Sequence, residues 1–204
     1  MARSDAVPAA TPDAEAAQKP RRTPGVRAPR PAAARADAPR AAGIVSSSHL
    51  VSPQALELSE FEFGLIVAWH AFSRWCVRCM AAAGGAELGF TDVLLLHHLC
   101  HRARQKKLAD ICFVLNYEDT HVVAYGLKKL VAAGLAQAEK QGKEVFYSPT
   151  PAGEALVQQY RAVRENCLVQ NLDTERNADI GELARLLRTM SGMYDQAARA
   201  ATSL

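Results

Sequence analysis

Apolar residues recur at helical spacing through most of the chain after residue 55. From Leu56 to about Ala83 they return every three or four residues, which predicts one long helix. A second helix is predicted from Thr91, a plausible N-cap. Shorter amphipathic stretches predict a third helix from about Leu108 to Leu115 and a fourth from about Glu118 to Ala133. The first half of this region is therefore predicted to be mainly helical.

The pattern changes period after Gly134. Polar and apolar residues alternate over 135–140 and 143–148, on either side of Gln141-Gly142, which predicts a β-hairpin. Thr150 and Pro151 then suit the start of a long helix that runs to about residue 172. A last helix carries leucine and methionine at helical spacing from Leu183 onward. The predicted fold class is mainly α with one small β-hairpin.

Residues 1–45 have a different composition from the rest. They hold seven of the ten prolines, no aromatic residue, and eight basic against four acidic side chains. Such a segment buries too little apolar area to offset the entropy of ordering, so we expect a disordered arm. It suits either a solubilising tail or a contact with nucleic acid, and the sequence leaves both open.

Composition and motifs narrow the function classes. The 204 residues are 49% hydrophobic and 22% charged, with a formal net charge of +3 and five cysteines, which is typical of a soluble protein with free thiols. We expect no membrane span and, since no apolar signal segment opens the chain, a cytoplasmic protein. Catalytic residues, a metal site and cofactors are not predicted, because GxSxG, P-loop, GxGxxG and HExxH motifs are absent.

The order helix, turn, helix, hairpin resembles the winged helix-turn-helix of the MarR family of bacterial transcription regulators. The resemblance covers roughly Leu56 to Ala198 and is carried by FTDVLLLHHL, KLADICFVLNY, LKKLVAAGLA and YSPTPAGEAL. It implies a homodimer joined by terminal helices, a near-palindromic double-stranded DNA operator, and release by a small aromatic carboxylate or phenolic effector. The implied organisation is an arm (1–45), a first dimerisation helix region (46–90), a winged helix-turn-helix lobe (91–150) and C-terminal dimerisation helices (151–204).

The fourth predicted helix corresponds to the recognition helix of that family. Val123, Leu127 and Leu130 share one face, which we expect to be buried, while the opposite face is polar. The wing departs from the family, whose Asp-x-Arg element is replaced by lysines, and Tyr125 stands where an arginine is common. For the lysines of the basic connector, phosphate contact and plain solvation are both open. The expected DNA contacts are Thr120, His121, Ala124, Tyr125, Lys128 and Lys129 on the helix, Lys140 and Lys143 in the wing, and Lys106 and Lys107 in the connector.

Aromatic and basic side chains cluster on the first two predicted helices, which border the effector pocket in the resembled fold. An aromatic wall with a nearby cation suits a flat carboxylate. The resemblance to the MarR family implies a nicotinate-type or phenolic acid. Ordinary packing of a dimer core explains the same pattern, and the sequence leaves both open. The expected ligand contacts are Trp69, His70, Arg74, Trp75, His97, His98 and His101.

Cysteine and histidine residues on the same helices allow other functions. Cys76-x-x-Cys79 with the run from His97 to His101 could form a metal-responsive or redox-responsive site, or part of a metal or thiol enzyme. Buried helical cysteines, however, behave as small hydrophobic residues. A winged helix that binds only proteins is a further alternative to a DNA-binding regulator.

Overall fold

Six α-helices and three short strands make up the part of the chain that the computed structural model describes, residues 48–102 and 104–204. The predicted arm lies outside this range. Short 3-10 helices occupy Ser48–Leu50 and Val169–Asn171. The order is α1 (Leu56–Ala82), α2 (Phe90–Cys100), β1 (Lys106–Lys107), α3 (Leu108–Leu115), α4 (Thr120–Ala132), β2 (Ala136–Gln141), β3 (Glu144–Pro149), α5 (Pro151–Cys167) and α6 (Thr174–Ala201). The mainly α fold class is confirmed.

Polar side chains fix the starts of several helices. Asp119 accepts a hydrogen bond from the backbone N–H of His121 at 2.8 Å, which caps α4. Asp173 caps α6 in the same way. The predicted cap at Thr91 is wrong, since α2 begins one residue earlier, at Phe90. Gly89 takes the capping position because its N–H donates to the Asp92 carboxylate at 2.9 Å, which holds the chain at the helix entrance.

The predicted hairpin is present and belongs to a larger sheet. β2 and β3 pair antiparallel from Ala136 opposite Pro149 to Gln141 opposite Glu144, and Gly142 turns the chain with a φ of +65°. The predicted basic connector contributes β1, in which Lys106 pairs with Tyr147. The sheet therefore has three strands in the order β1–β3–β2, and not the two that were predicted.

The densest packing surrounds α2. Leu95, Leu96 and Leu99 have no solvent exposure, and Val123, Leu127 and Leu130 of α4 are equally buried. Gly126 brings α4 close to α2, because a Cβ there would lie 2.5 Å from Cδ1 of Leu95. We use the name lobe for residues 88–153, in which α2, α3, α4 and the sheet share this core.

The joint between the lobe and α5 is tightly bonded. Thr150 donates its backbone N–H to the Leu135 carbonyl at 3.1 Å and its hydroxyl to the Gly134 carbonyl at 2.7 Å. The same hydroxyl accepts a hydrogen bond from the N–H of Gly153 at 3.1 Å, which caps α5. Gly153 has no room for a side chain, since a Cβ there would collide with the carbonyl oxygen of Leu135.

The terminal helices are packed much less densely. None of the residues of α6, which the structure describes throughout, is buried. Its polar contacts include a hydrogen bond from the Tyr194 hydroxyl to Glu62 of α1 at 3.0 Å and the Asn116 amide at 3.4 Å from Asp195. No helix within the described ranges is both long enough and apolar enough to cross a membrane.

Candidate DNA-binding site

α4 presents an open polar face on a firmly seated helix. The prediction that Val123, Leu127 and Leu130 are buried is confirmed. On the opposite side His121 and Lys128 are exposed and Tyr125 is 73% exposed, with Thr120 exposed and Ala124 half-buried beside them. The structure thus brings all five predicted polar-face residues onto one accessible surface. A helix held in this way can enter the major groove of a duplex.

Val122 also lies on this surface, and it is not among the predicted DNA contacts. Val122 is 41% exposed, although its neighbour Val123 is fully buried. With His121 and Tyr125 it borders a groove of about 510 Å³ between α4 and the start of α2, where Phe90 and Thr91 form the other wall. Helical spacing could have indicated this exposure, because Val122 lies 100° around the helix axis from the buried Val123.

Lys129 is bonded inside the protein. Its ammonium donates to the Asp92 carboxylate at 2.7 Å and to the Glu87 carbonyl at 2.6 Å, and the hydrogen bond to Asp92 raises the pKa of Lys129. This geometry is contrary to the expected phosphate contact. The lysine instead ties α4 to the first turn of α2, where the nearly buried Asp92 also holds Gly89.

Lys106 is likewise unavailable to DNA, so the expected phosphate contact there is wrong. The residue is 4% exposed, and its ammonium donates to the carbonyls of Leu99, His101 and Arg104 at 2.8 to 3.2 Å. Two of these acceptors belong to the C-terminal end of α2, whose carbonyls lack helical partners. Burial lowers the pKa of Lys106, but the three acceptors compensate for much of the lost hydration.

The remaining lysines of the wing face solvent. Lys140 and Lys143 are exposed on either side of the turn. Lys107 pairs with Glu144 at 2.6 Å and lies 5.3 Å from the centre of the Phe146 ring. An exposed ion pair of this kind contributes little free energy, so Lys107 remains a candidate phosphate contact. The described basic residues available to a duplex thus include Lys107, Lys128, Lys140 and Lys143.

Comparisons with known proteins agree with this geometry. Residues 88–153 match the family of winged helix DNA-binding domains. The MarR family transcription regulator SP03579 superposes with a TM-score of 0.58 at 15% identity, over 73% of this chain and 97% of its own. The chain has a MarR-type fold.

Two further structures support the same fold. AbfR of Staphylococcus epidermidis has a TM-score of 0.55 at 16% identity, over 69% of this chain and 98% of its own. CouR from Rhodococcus jostii RHA1, solved with p-coumaroyl-CoA, has a TM-score of 0.51 at 12% identity, over 64% and 90%. No curated protein matches the chain. The resemblance stated from the sequence is therefore confirmed at the level of the MarR-type fold.

A cavity of about 570 Å³ opens where α5 packs against α1 and α2 of this MarR-type fold. Trp75 and His97, both predicted as ligand contacts, line it. Arg161 and Arg164 of α5 line it as well and were not predicted, because α5 was interpreted only as a dimerisation helix. Their spacing of three residues on one helix face was the available signal. Phe72 and Tyr160 complete an aromatic wall.

His97 has an unusual environment in this cavity. Its ring meets that of Tyr160 edge-on, with centroids 4.5 Å apart. Burial lowers the pKa of His97 below its ordinary value of 6.5, which favours the neutral imidazole. The buried Nε2 atom has no hydrogen-bond partner among the described residues. A neutral ring with an unsatisfied nitrogen can bind a polar group of a ligand.

The other predicted ligand contacts do not line this cavity. Trp69 packs against Phe90 with ring centroids 5.1 Å apart, and Arg74 borders a separate shallow depression beside the same phenylalanine. His70, His98 and His101 lie elsewhere on α1 and at the end of α2. Contact of these five residues with a ligand therefore stays a prediction, since they do not line this cavity.

The cysteines do not form the alternative sites considered above. Cys76 and Cys79 are buried in α1, and the Cys79 thiol donates to the Tyr160 carbonyl at 3.5 Å. Burial raises the thiol pKa of Cys76, Cys79, Cys100 and Cys112, which disfavours a reactive thiolate. Within residues 48–102 and 104–204, no three metal-binding side chains come together. The structure thus gives the redox and metal alternatives no support.

Proposed function

We propose that the chain is a sequence-specific DNA-binding transcriptional regulator, a homodimeric repressor that acts in the cytoplasm and leaves its operator when a small aromatic acid binds. The observation that carries the proposal is the exposed polar face of α4, held by a fully buried opposite face within a winged helix lobe. A surface of this shape, with hydrogen-bonding groups toward the N-terminal half of the helix, is suited to base edges in the major groove.

Two sets of residues contact the duplex, one for sequence discrimination and one for affinity. His121 and Tyr125, with Thr120 and Ala124 beside them, contact base edges and provide sequence discrimination. Lysines contact phosphates and provide affinity that depends on salt concentration. The proposed phosphate contacts are Lys107, Lys128, Lys140 and Lys143. The wing lysines are less directional than arginines, so their contribution is mainly electrostatic.

The terminal helices support a second copy of the chain as partner. α6 exposes Ile180, Leu183, Leu186, Leu187 and Met193, which recur at helical spacing. The first half of α1 exposes Phe63, Ile66 and Val67. Two long helices with this much uncovered apolar surface are typical of an interface. In a homodimer that buries these faces, two copies of α4 would face successive major grooves.

The cavity between α2 and α5 supports an effector of aromatic and acidic character. Trp75, Phe72 and Tyr160 offer stacking area. Arg161 offers a cation for a carboxylate, and Arg164 offers a second one that lies 3.9 Å from Glu165 of the same lining. A ligand there would change how α5 packs on α2, and therefore the separation of the two recognition helices. Half-sites lie about 34–36 Å apart, so a small shift prevents simultaneous contact. A coupling of about 1–3 kcal/mol is enough for release.

Selection of duplexes from a random pool by the purified full-length protein tests this function. We expect a near-palindromic sequence to be enriched. In titrations against it, His121→Ala and Tyr125→Ala should reduce discrimination between operator and random DNA. Lys140→Ala and Lys143→Ala should weaken both alike and flatten the salt dependence by about one unit of slope for each lysine. Failure to enrich any sequence, or equal effects of both classes of variant, would overturn the proposal.

One observation favours the alternative of a protein-binding winged helix. Phe113, at the end of α3, is 87% exposed, and Val114 beside it is also exposed. A domain that binds only proteins would use such apolar residues and would not bind duplex DNA in a salt-dependent manner. A gel shift at two salt concentrations separates the two functions.

A further inference from the structure

Val122 interrupts the polar surface of α4 with an aliphatic side chain. It follows His121 directly and precedes Tyr125 by nearly one turn, so it lies among the residues proposed to contact base edges. It is 41% exposed, whereas Val123, Leu127 and Leu130 of the same helix have no exposure. Val122 is therefore not part of the buried core of the lobe.

The surroundings of Val122 form an apolar wall toward the groove between α4 and α2. Phe90 stands across this groove and is fixed by edge-on contacts with Trp69 and Phe72, at centroid distances of 5.1 and 6.0 Å. Gly126 and the Lys129–Asp92 pair hold α4 against α2 on the same side. The valine thus belongs to a helix that is held against α2, and 41% of it remains exposed beside the groove.

The major groove of DNA has one apolar feature that such a side chain can bind. Thymine carries a C5-methyl group there, whereas the other edges present donors and acceptors. We propose that Val122 is a specificity-determining residue that contacts the C5-methyl group of one thymine in each half-site. This inference rests on the proposed function, and it adds a base preference that polar residues of α4 do not supply.

Replacement of thymine by deoxyuridine tests the contact, because it removes the methyl group and leaves base pairing unchanged. The probe is the duplex selected by the full-length protein, with each thymine of one half-site replaced in turn. We expect one position to weaken binding about fourfold, the factor that burial of one methylene-sized group represents. The other thymines should have a smaller effect.

A variant assigns the effect to Val122. Val122→Ala should weaken binding to the thymine duplex by a similar factor and should lose its sensitivity to deoxyuridine at that position. Val114→Ala, which trims an exposed valine of α3, is the matched control and should retain the full sensitivity. Both variants should keep the thermal unfolding midpoint of the parent, since both side chains lie outside the core.

The outcomes separate the two proposals. If the protein enriches no duplex, the proposed function fails. If it enriches and binds a duplex that lacks a thymine in the half-sites, or if Val122→Ala remains as sensitive to deoxyuridine as the parent, only the methyl contact is overturned. Loss of sensitivity in Val122→Ala together with its retention in Val114→Ala supports the contact.

Discussion

The lobe and the terminal helices use apolar residues in opposite ways. In α4, a helix of 13 residues, the buried positions are Val123, Gly126, Leu127 and Leu130, and they face the shared core. In α6, a helix of 28 residues that is described in full, no residue is buried, and five of its large apolar side chains are exposed. Similar sequence periodicity has therefore produced a closed core in one region and an uncovered stripe in the other.

This difference shows that amphipathic spacing alone does not identify what a helix packs against. The lobe contains α2, α3 and the sheet, which together cover the apolar face of α4. α6 has few neighbours among residues 48–102 and 104–204, so its stripe is available to a partner. We therefore expect lobe substitutions to change the stability of the chain, and α6 substitutions to change self-association.

Leu127→Ala should have the largest effect on stability. Leu127 has no solvent exposure, and truncating a buried leucine costs roughly 3 kcal/mol of unfolding free energy. Leu186→Ala, the matched control in α6, should leave unfolding nearly unchanged at low protein concentration. Urea denaturation at two protein concentrations measures both, and an equal loss in the two variants would contradict the division between the regions.

Substitutions of the adjacent lysines Lys106 and Lys107 should differ in their cost to the unfolding free energy. Lys106→Met leaves three backbone carbonyls without their donor and should cost about 2 kcal/mol. Lys107→Met removes an exposed ion pair with Glu144 and a contact with the Phe146 ring, and should cost about 1 kcal/mol or less. Thermal or urea unfolding of the two variants tests this, and a larger loss in Lys107→Met would reverse our assignment.

Leu186→Glu should weaken self-association. A charge on the apolar stripe of α6 should raise the dissociation constant of the homodimer about tenfold or more, equivalent to roughly 1.4 kcal/mol. Arg188→Glu is a stringent control, because it changes more charge on the opposite side of the same helix. Sedimentation equilibrium over a range of concentrations measures both. A parent protein that stays monomeric at every concentration would refute the interface.

The smallest expected effect concerns His97, a residue of the lobe that faces the cavity beside α5. The unfolded chain takes up a proton near the ordinary pKa of 6.5, whereas burial lowers the pKa of His97 in the folded chain. The unfolded state therefore binds more protons in the interval below 6.5, and stability falls as the pH falls through it.

His97→Phe keeps a ring against Tyr160 and should reduce this pH dependence, by at most about 1.4 kcal/mol per pH unit. His70→Gln, on the exposed side of α1, is the control and should retain the parental slope. Unfolding free energies measured between pH 7.5 and pH 5 test this prediction. Equal slopes of unfolding free energy against pH for His97→Phe and the parent would contradict it.

Local patterns predicted the helices and the hairpin because those elements are determined by nearby residues. The buried face of α4 followed from helical spacing, and Thr150 and Pro151 marked the start of α5. Lys106 was assigned wrongly because its strand forms by pairing with β3, where Tyr147 lies forty-one positions later in the chain, and a local pattern does not show such a pairing. The cavity was only half predicted for the same reason, since Arg161 and Arg164 approach Trp75 and His97 through tertiary packing.

The absence of a side chain at Gly153 has a mechanical consequence. The first turn of α5 packs directly on the backbone at Leu135, and the Thr150 hydroxyl bonds to both Gly134 and Gly153. The wing and α5 are therefore joined without a flexible linker. A change in the tilt of α5 would therefore move the lobe with it, because no flexible linker separates the two. A bulkier residue at position 153 would change the angle between α5 and the lobe, although it would replace none of the residues proposed to contact DNA or ligand.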